Sequence, residues 1–208
     1  MIISHRYRFI FIKTLKTAGT SIEVYLSEHC GPDDIFTPVF PPIDGHRPRN
    51  FGRFYNHYSA FGVRQAVGPE LWGSYFKFCV ERNPWDKVVS HYAMESHKAK
   101  NPISFDQYLT RKMFRECVNY PLYTDEDDET LLVDRILRFE QLNQDLSKLF
   151  EQLKVPWQGD LGVRAKSGYR NDQRPFQEFY SDAQRQLVEQ AFQWECRHLG
   201  YTFDGKQM

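Results

Sequence analysis

Tyr7-Arg8-Phe9-Ile10-Phe11-Ile12, then Lys16-Thr17-Ala18-Gly19-Thr20-Ser21, then Ile22-Glu23-Val24-Tyr25-Leu26: the chain reads here as a short apolar strand, a tight loop and the start of a helix. A loop in that place aims backbone N–H groups, a helix N-terminus and one lysine, Lys16, at a single point. Such a point favours a phosphate or a sulfate. Gly19 would let the backbone come close to the anion, and Thr20 and Ser21 add hydroxyl donors. The plain alternative is an ordinary strand–helix turn that contains a glycine. The loop is not a Walker A sequence, in which the lysine follows the second glycine; here Lys16 precedes Gly19.

A second segment repeats the order. Phe76-Lys77-Phe78-Cys79-Val80-Glu81-Arg82 reads as a strand. Asn83 suits a helix N-cap and Pro84 the first helical position. Trp85, Val88, Val89 and Tyr92 then recur at helical spacing. Arg82 therefore ends a strand, and Ser90 lies two turns into the following helix, beside its apolar stripe. An arginine at a strand end can grip an oxyanion with two parallel hydrogen bonds, and a helical serine can add another. Taken singly, each residue reads more plainly as a solvated surface side chain.

Together the two segments, KTAGTS and FKFCVERNPWDKVVSHY, resemble the sulfotransferases that use 3′-phosphoadenylyl sulfate (PAPS), and most of all the branch containing the Golgi carbohydrate sulfotransferases. The resemblance implies an α/β fold: a single P-loop-like domain over residues 1–208, with a central parallel sheet flanked by helices. It implies that Lys16, Thr17, Ala18, Gly19, Thr20 and Ser21 hold the 5′-phosphosulfate. Arg82 and Ser90, at the family spacing, would hold the 3′-phosphate. Arg164 and Lys166, in a late basic loop that also contains Arg170, match loosely the segment that closes over the same phosphate. The product would be adenosine 3′,5′-bisphosphate. The family usually has proline before the loop lysine, where this chain has Leu15.

The acceptor's base is a second question. His57-Tyr58-Ser59 lies between the two nucleotide segments, and uronic-acid-type carbohydrate sulfotransferases carry a catalytic histidine followed one residue later by serine in that interval. An imidazole also suits proton abstraction near neutral pH. The plain alternative is a histidine packed among aromatic rings. Glu23 is the competing base, with His46 and His91 behind it. The catalytic pair expected is Lys16 and His57, with no metal. The expected activity is sulfuryl transfer to an acceptor hydroxyl, most naturally on a carbohydrate. A P-loop-type nucleotide kinase and a non-catalytic nucleotide-binding protein are the alternatives.

Composition narrows the field. The chain has 208 residues, with 27 acidic and 27 basic side chains, so its net charge is zero. That argues against a general nucleic-acid binder, whose affinity rests on excess positive charge. Four widely spaced cysteines form no CxxC pair and signal neither zinc nor a redox dithiol. No apolar run reaches the roughly 18 residues of a membrane span. The first residues lead almost directly into a strand, leaving no room for a signal peptide, so a cytoplasmic setting is expected.

Roughly residues 30–70, broken by Pro32, Pro38, Pro41, Pro42 and Pro48, read as an irregular substrate-side loop, with a solvated surface loop as the plain alternative. Further on, Ser104/Gln107 and Ser181/Gln184 have capping-box spacing, Arg135 to Phe139 reads as a short strand, and the acidic run Asp125 to Glu129 reads as a solvated loop or the start of a helix.

Overall fold

A computed structural model describes residues 1–163, 165 and 168–205. The chain divides into two compact units. The first comprises Met1–Glu81 and Pro121–Ala165; the second comprises Arg82–Tyr120 and the chain from Lys166 onward.

Among the described residues of the first unit, five strands form one sheet: β1 (Ile2–Ser4), β2 (Phe9–Phe11), β3 (Ile35–Phe36), β4 (Phe76–Glu81) and β5 (Arg135–Arg138). Their order is β3-β1-β2-β4-β5. The strands β2, β4 and β5 run parallel, as the two strand–loop–helix segments require. The sheet is mixed, however, because β1 pairs antiparallel with both β2 and β3. These added strands are only three and two residues long, too short to show a period-2 pattern.

Alternation decides which side chains enter the core. Phe9 and Phe11 of β2, Phe78 and Val80 of β4 and Leu137 of β5 share one apolar cluster. Helix α1 (Gly19–His29) contributes Ile22, Tyr25 and Leu26 to it. Helix α5 (Leu142–Leu153) contributes Leu146, Leu149 and Phe150. The Phe11 and Phe78 rings stack with centroids 5.0 Å apart.

The segment read as irregular contains a helix, α2 (Ala60–Ser74). Ser59 caps it, its Oγ accepting from the Gly62 N–H at 3.1 Å. Gly68, with φ of 79°, and Pro69 kink α2 internally, and these breakers hid the helix from sequence reading. The acidic run closes a turn across the Thr124–Leu131 bridge, and Asp125 forms a two-pronged pair with Arg64 of α2.

The second unit is helical. It holds α3 (Pro84–Lys98), α4 (Phe105–Thr110), α6 (Asp182–Ala191) and α7 (Gln193–Leu199), with short 3-10 turns. Asn83 caps α3 as its sequence indicates, and both expected capping boxes are formed. Trp85, Val88, Tyr108, Phe114, Val188 and Phe192 are buried. Trp85 donates its indole N–H to the Arg185 carbonyl at 3.1 Å, so it is a packing residue. His91 is buried too, its Nδ1 2.7 Å from the Tyr108 hydroxyl.

Asp34 ties the turn between β1 and β2 to the chain after α1. Its buried carboxylate accepts from Ser4 Oγ and from the N–H groups of His5, Arg6 and Gly31. Replacing Asp34 by Ala strips several donors of their acceptor at once. The expected loss is about 3 kcal/mol of unfolding free energy, measurable by urea titration. A loss below about 1 kcal/mol would mean that water replaces the carboxylate.

Candidate active site

The end of β2 fixes the site. The Ile12 N–H donates to the Phe78 carbonyl at 2.9 Å, and Thr14 Oγ1 donates to the Val80 carbonyl. The chain then leaves β4 and turns. Lys16 and Ala18 both adopt left-handed backbone, with φ of 63° and 62°, with Thr17 between them. Left-handed residues set among right-handed ones curl a backbone so that successive N–H groups face inward, which makes an anion cradle. Ala18 is also the N-cap of α1, and it supplies no side-chain cap; the first turn of α1 carries no acidic residue either. The partial positive charge of the helix start is therefore not neutralised by its own side chains.

The loop side chains divide. Lys16 is half-buried. Thr17 is fully buried, with its hydroxyl 2.8 Å from that of Thr14, so it braces the loop from beneath and can offer a ligand only its backbone. Ser21 Oγ accepts from the Ala165 N–H at 3.0 Å, which brings the late segment to the first turn of α1. Arg164 and Lys166 themselves lie outside the described residues.

Gly19 carries a constraint that its sequence reading did not include. A Cβ built on it would lie 2.7 Å from Cγ of Lys13, so the missing side chain faces a buried lysine stem. The glycine is required there by packing against Lys13.

His57 also adopts left-handed backbone, with φ of 60°. Its Nδ1 lies 2.9 Å from the carbonyl oxygen of Lys13, three residues before Lys16. A carbonyl can only accept, so Nδ1 carries the proton and Nε2 carries the lone pair. Burial, and then the Lys13 ammonium, push this imidazole down to about 4, although its hydrogen bond to the carbonyl pulls the other way. At neutral pH the ring is thus uncharged, and through the Lys13 carbonyl it is tied to the chain that leads into the loop. In the same segment, Tyr58 packs edge-on against Phe54 and Tyr55, and Tyr55 remains 60% exposed.

Glu23 is not placed as a base. It is fully buried and accepts from the Lys13 ammonium at 2.5 Å and from the Met1 amine. Nε2 of His46 lies 3.5 Å away. Burial alone would raise this carboxyl, but the two ammonium groups and His46 outweigh it and hold the carboxyl well below the usual range.

In the second unit, Arg82 and Ser90 sit on either side of a residue that the sequence reading passed over. Asp86 Oδ2 accepts from Nε of Arg82 at 2.9 Å and from its terminal nitrogen at 2.7 Å, while Oδ1 accepts from Arg170 at 2.9 Å. Asp86 and Ser90 are one helical turn apart on α3 and share a face. Two guanidiniums thus meet around one oxyanion. The spacing of four from Arg82 to Asp86 and of four again to Ser90 was the available signal.

This fold, a mixed sheet whose central strands lead through a tight loop into a helix, is the sulfotransferase fold. The crystal structure of mouse sulfotransferase SULT7A1 complexed with PAP is similar over 94% of this chain and 86% of that one, with a TM-score of 0.55 and 13% identity. An uncharacterized protein of the archaeon Archaeoglobus fulgidus is 34% identical over 115 residues, which make up 53% of this chain and 96% of that protein. The chain belongs to the same family as that archaeal protein. No family model matches it. Among the described residues, no helix is long and apolar enough to cross a membrane.

The His57 environment has a consequence for stability. Its folded value, about 4, lies below the ordinary 6.5. Between those values the unfolded chain binds more protons than the folded one, so stability falls as pH drops through this window. Below about 4 the loss from this group is complete. In urea titrations between pH 7 and pH 4, a His57→Asn variant is expected to show a shallower decline than the parent. Parallel curves would mean that His57 titrates normally in the folded chain.

Proposed function

We propose that this protein is a sulfotransferase that moves the sulfuryl group of PAPS to an acceptor hydroxyl, with residues 1–208 acting as one sulfotransferase domain. The observation that carries this reading is the neutral imidazole held at the Lys13 carbonyl, three residues before the left-handed Lys16: the imidazole and the cradle hang from one short stretch of chain. Sulfuryl transfer is in-line displacement between two oxygens, so it needs a held donor, a stabilised leaving phosphate and a base.

Each requirement has a residue. The backbone of Thr17, Ala18 and Gly19 and the start of α1 cradle the 5′-phosphosulfate, aided by Thr20 and Ser21. Lys16 neutralises charge as it develops on the departing phosphate. Nε2 of His57 takes the proton as the acceptor oxygen bonds to sulfur and the sulfur–phosphate oxygen bond breaks. Arg82 and Ser90 hold the 3′-phosphate, and the meeting of Arg82 and Arg170 around the Asp86 carboxylate supports that role, because the same donors suit a phosphate. A carbohydrate acceptor fits the exposed Tyr55 ring close to His57, with Arg47 and Arg53 exposed on the same segment. Four free thiols accord with a cytoplasmic setting.

Adenosine 3′,5′-bisphosphate is expected to bind more tightly than AMP by about 1.5–3 kcal/mol, the worth of a charge-assisted contact, and Arg82→Ala should remove most of the difference. Calorimetry giving equal affinities would defeat the assignment, and magnesium-dependent ATP binding would point to a kinase. Transfer of labelled sulfate from PAPS to a panel of sugar, phenol and tyrosine-peptide acceptors tests the chemistry. Lys16→Ala should depress turnover with little loss of stability. His57→Ala should depress turnover about 10²–10⁴-fold while sparing nucleotide binding. Full transfer by His57→Ala would exclude it as the base.

A further inference from the structure

Beneath the anion loop lies a buried ionic cluster that the proposed chemistry does not use. The Lys13 side chain is 3% exposed and that of Glu23 is fully buried. Lys13 is held at three points. Its ammonium donates to Glu23 Oε2 at 2.5 Å. Its stem fills the space against Gly19, where a Cβ would come within 2.7 Å of Cγ. Its carbonyl receives the His57 Nδ1 proton at 2.9 Å. Glu23 Oε1 is taken by the Met1 amine, which also donates to Thr37 Oγ1 at 2.8 Å. The carboxylate is therefore fixed from both sides, and it fixes the lysine in turn.

A lone surface-type lysine would keep its ammonium in water. Here burial lowers the lysine's proton affinity, and Glu23 opposes that shift. Holding the ammonium inside needs the carboxylate, and the anchored stem then adds to the hold that the β4 bonds of Ile12 and Thr14 give the backbone of residue 13. That backbone is where the imidazole is anchored.

We infer that Glu23 is a positioning residue for His57, acting through Lys13: its carboxylate anchors the lysine whose carbonyl orients the imidazole and selects the tautomer with its lone pair on Nε2. The inference rests on His57 being the base, and it deepens that reading by assigning the competing carboxylate a different role. Glu23 itself touches no substrate.

Two measurements separate this idea from the base assignment. The first needs no acceptor. In the full chain labelled with ¹⁵N-histidine, the His57 ring is identified as the resonances absent from His57→Ala. The parent should show one tautomer, protonated at Nδ1, and Glu23→Gln should show a mixture. Unchanged His57 ring shifts in Glu23→Gln would overturn the inference. Should that variant fail to fold, the paired Lys13→Met/Glu23→Gln chain removes both charges of the Lys13–Glu23 pair. It should show the same mixture, and a parent-like single tautomer would refute the inference equally.

The second is a double-mutant cycle on sulfuryl transfer. Glu23→Gln should reduce turnover about tenfold to a hundredfold, the range of a misplaced catalytic group. It should add little to the loss already caused by His57→Ala. Affinity for adenosine 3′,5′-bisphosphate should stay within about twofold of the parent, since the loop and Arg82 supply binding. Equal losses in both backgrounds would show that Glu23 acts independently of His57 and would end the proposal. If instead His57→Ala alone keeps full transfer, the base assignment fails, while the ring-nitrogen result still decides whether Glu23 orients His57.

Discussion

The pairing of the end of β2 with β4 governs the rest of the first unit. Ile12 and Thr14 both bond to carbonyls of β4, one through backbone and one through a hydroxyl. That attachment fixes where the sheet stops and the loop starts. Thr17 folds back onto Thr14, so the loop is braced from the same strand end. The imidazole of His57 is attached one residue away, at Lys13. A site built this way inherits the rigidity of a parallel sheet, although its ligand-facing parts belong to a loop.

Each unit also buries an ion pair. In the first it is Lys13 with Glu23; in the second, Lys87 of α3 and Glu195 of α7 stand 3.5 Å apart with both side chains fully buried. Lys87 also lies over the Phe192 ring, 4.8 Å from its centroid. Such pairs contribute little net stability, since desolvation offsets the attraction, yet removing one partner is costly. Their effect is to penalise alternative packings in which either charge would lose its mate.

Much of this was legible in the sequence, and what was not has physical reasons. The strand–loop–helix order at Lys16, the cap at Asn83 and the two capping boxes are local signals, encoded within a few residues of where they act. The antiparallel β1 and β3 escaped because strands of three and two residues carry no usable alternation. Helix α2 was masked by Gly68 and Pro69, whose local meaning is interruption. The roles of Lys13, Glu23 and Asp86 depend on partners far along the chain: Asp86 meets Arg170 across 84 positions. Glu23, on the helix after the loop, stood as the competing base because other branches of the resembled family use a glutamate. Its burial and its two ammonium partners could be known only in three dimensions.

The lysine stem lying against Gly19 ties two positions of the chain to one small volume. Where residue 13 keeps a long buried side chain, residue 19 is confined to glycine, whatever the loop binds. Where residue 13 shrinks, that confinement ends, and alanine becomes sterically admissible at 19. The two positions should therefore drift together among descendants of this sequence, so that a glycine usually credited to ligand binding would record the history of a buried neighbour.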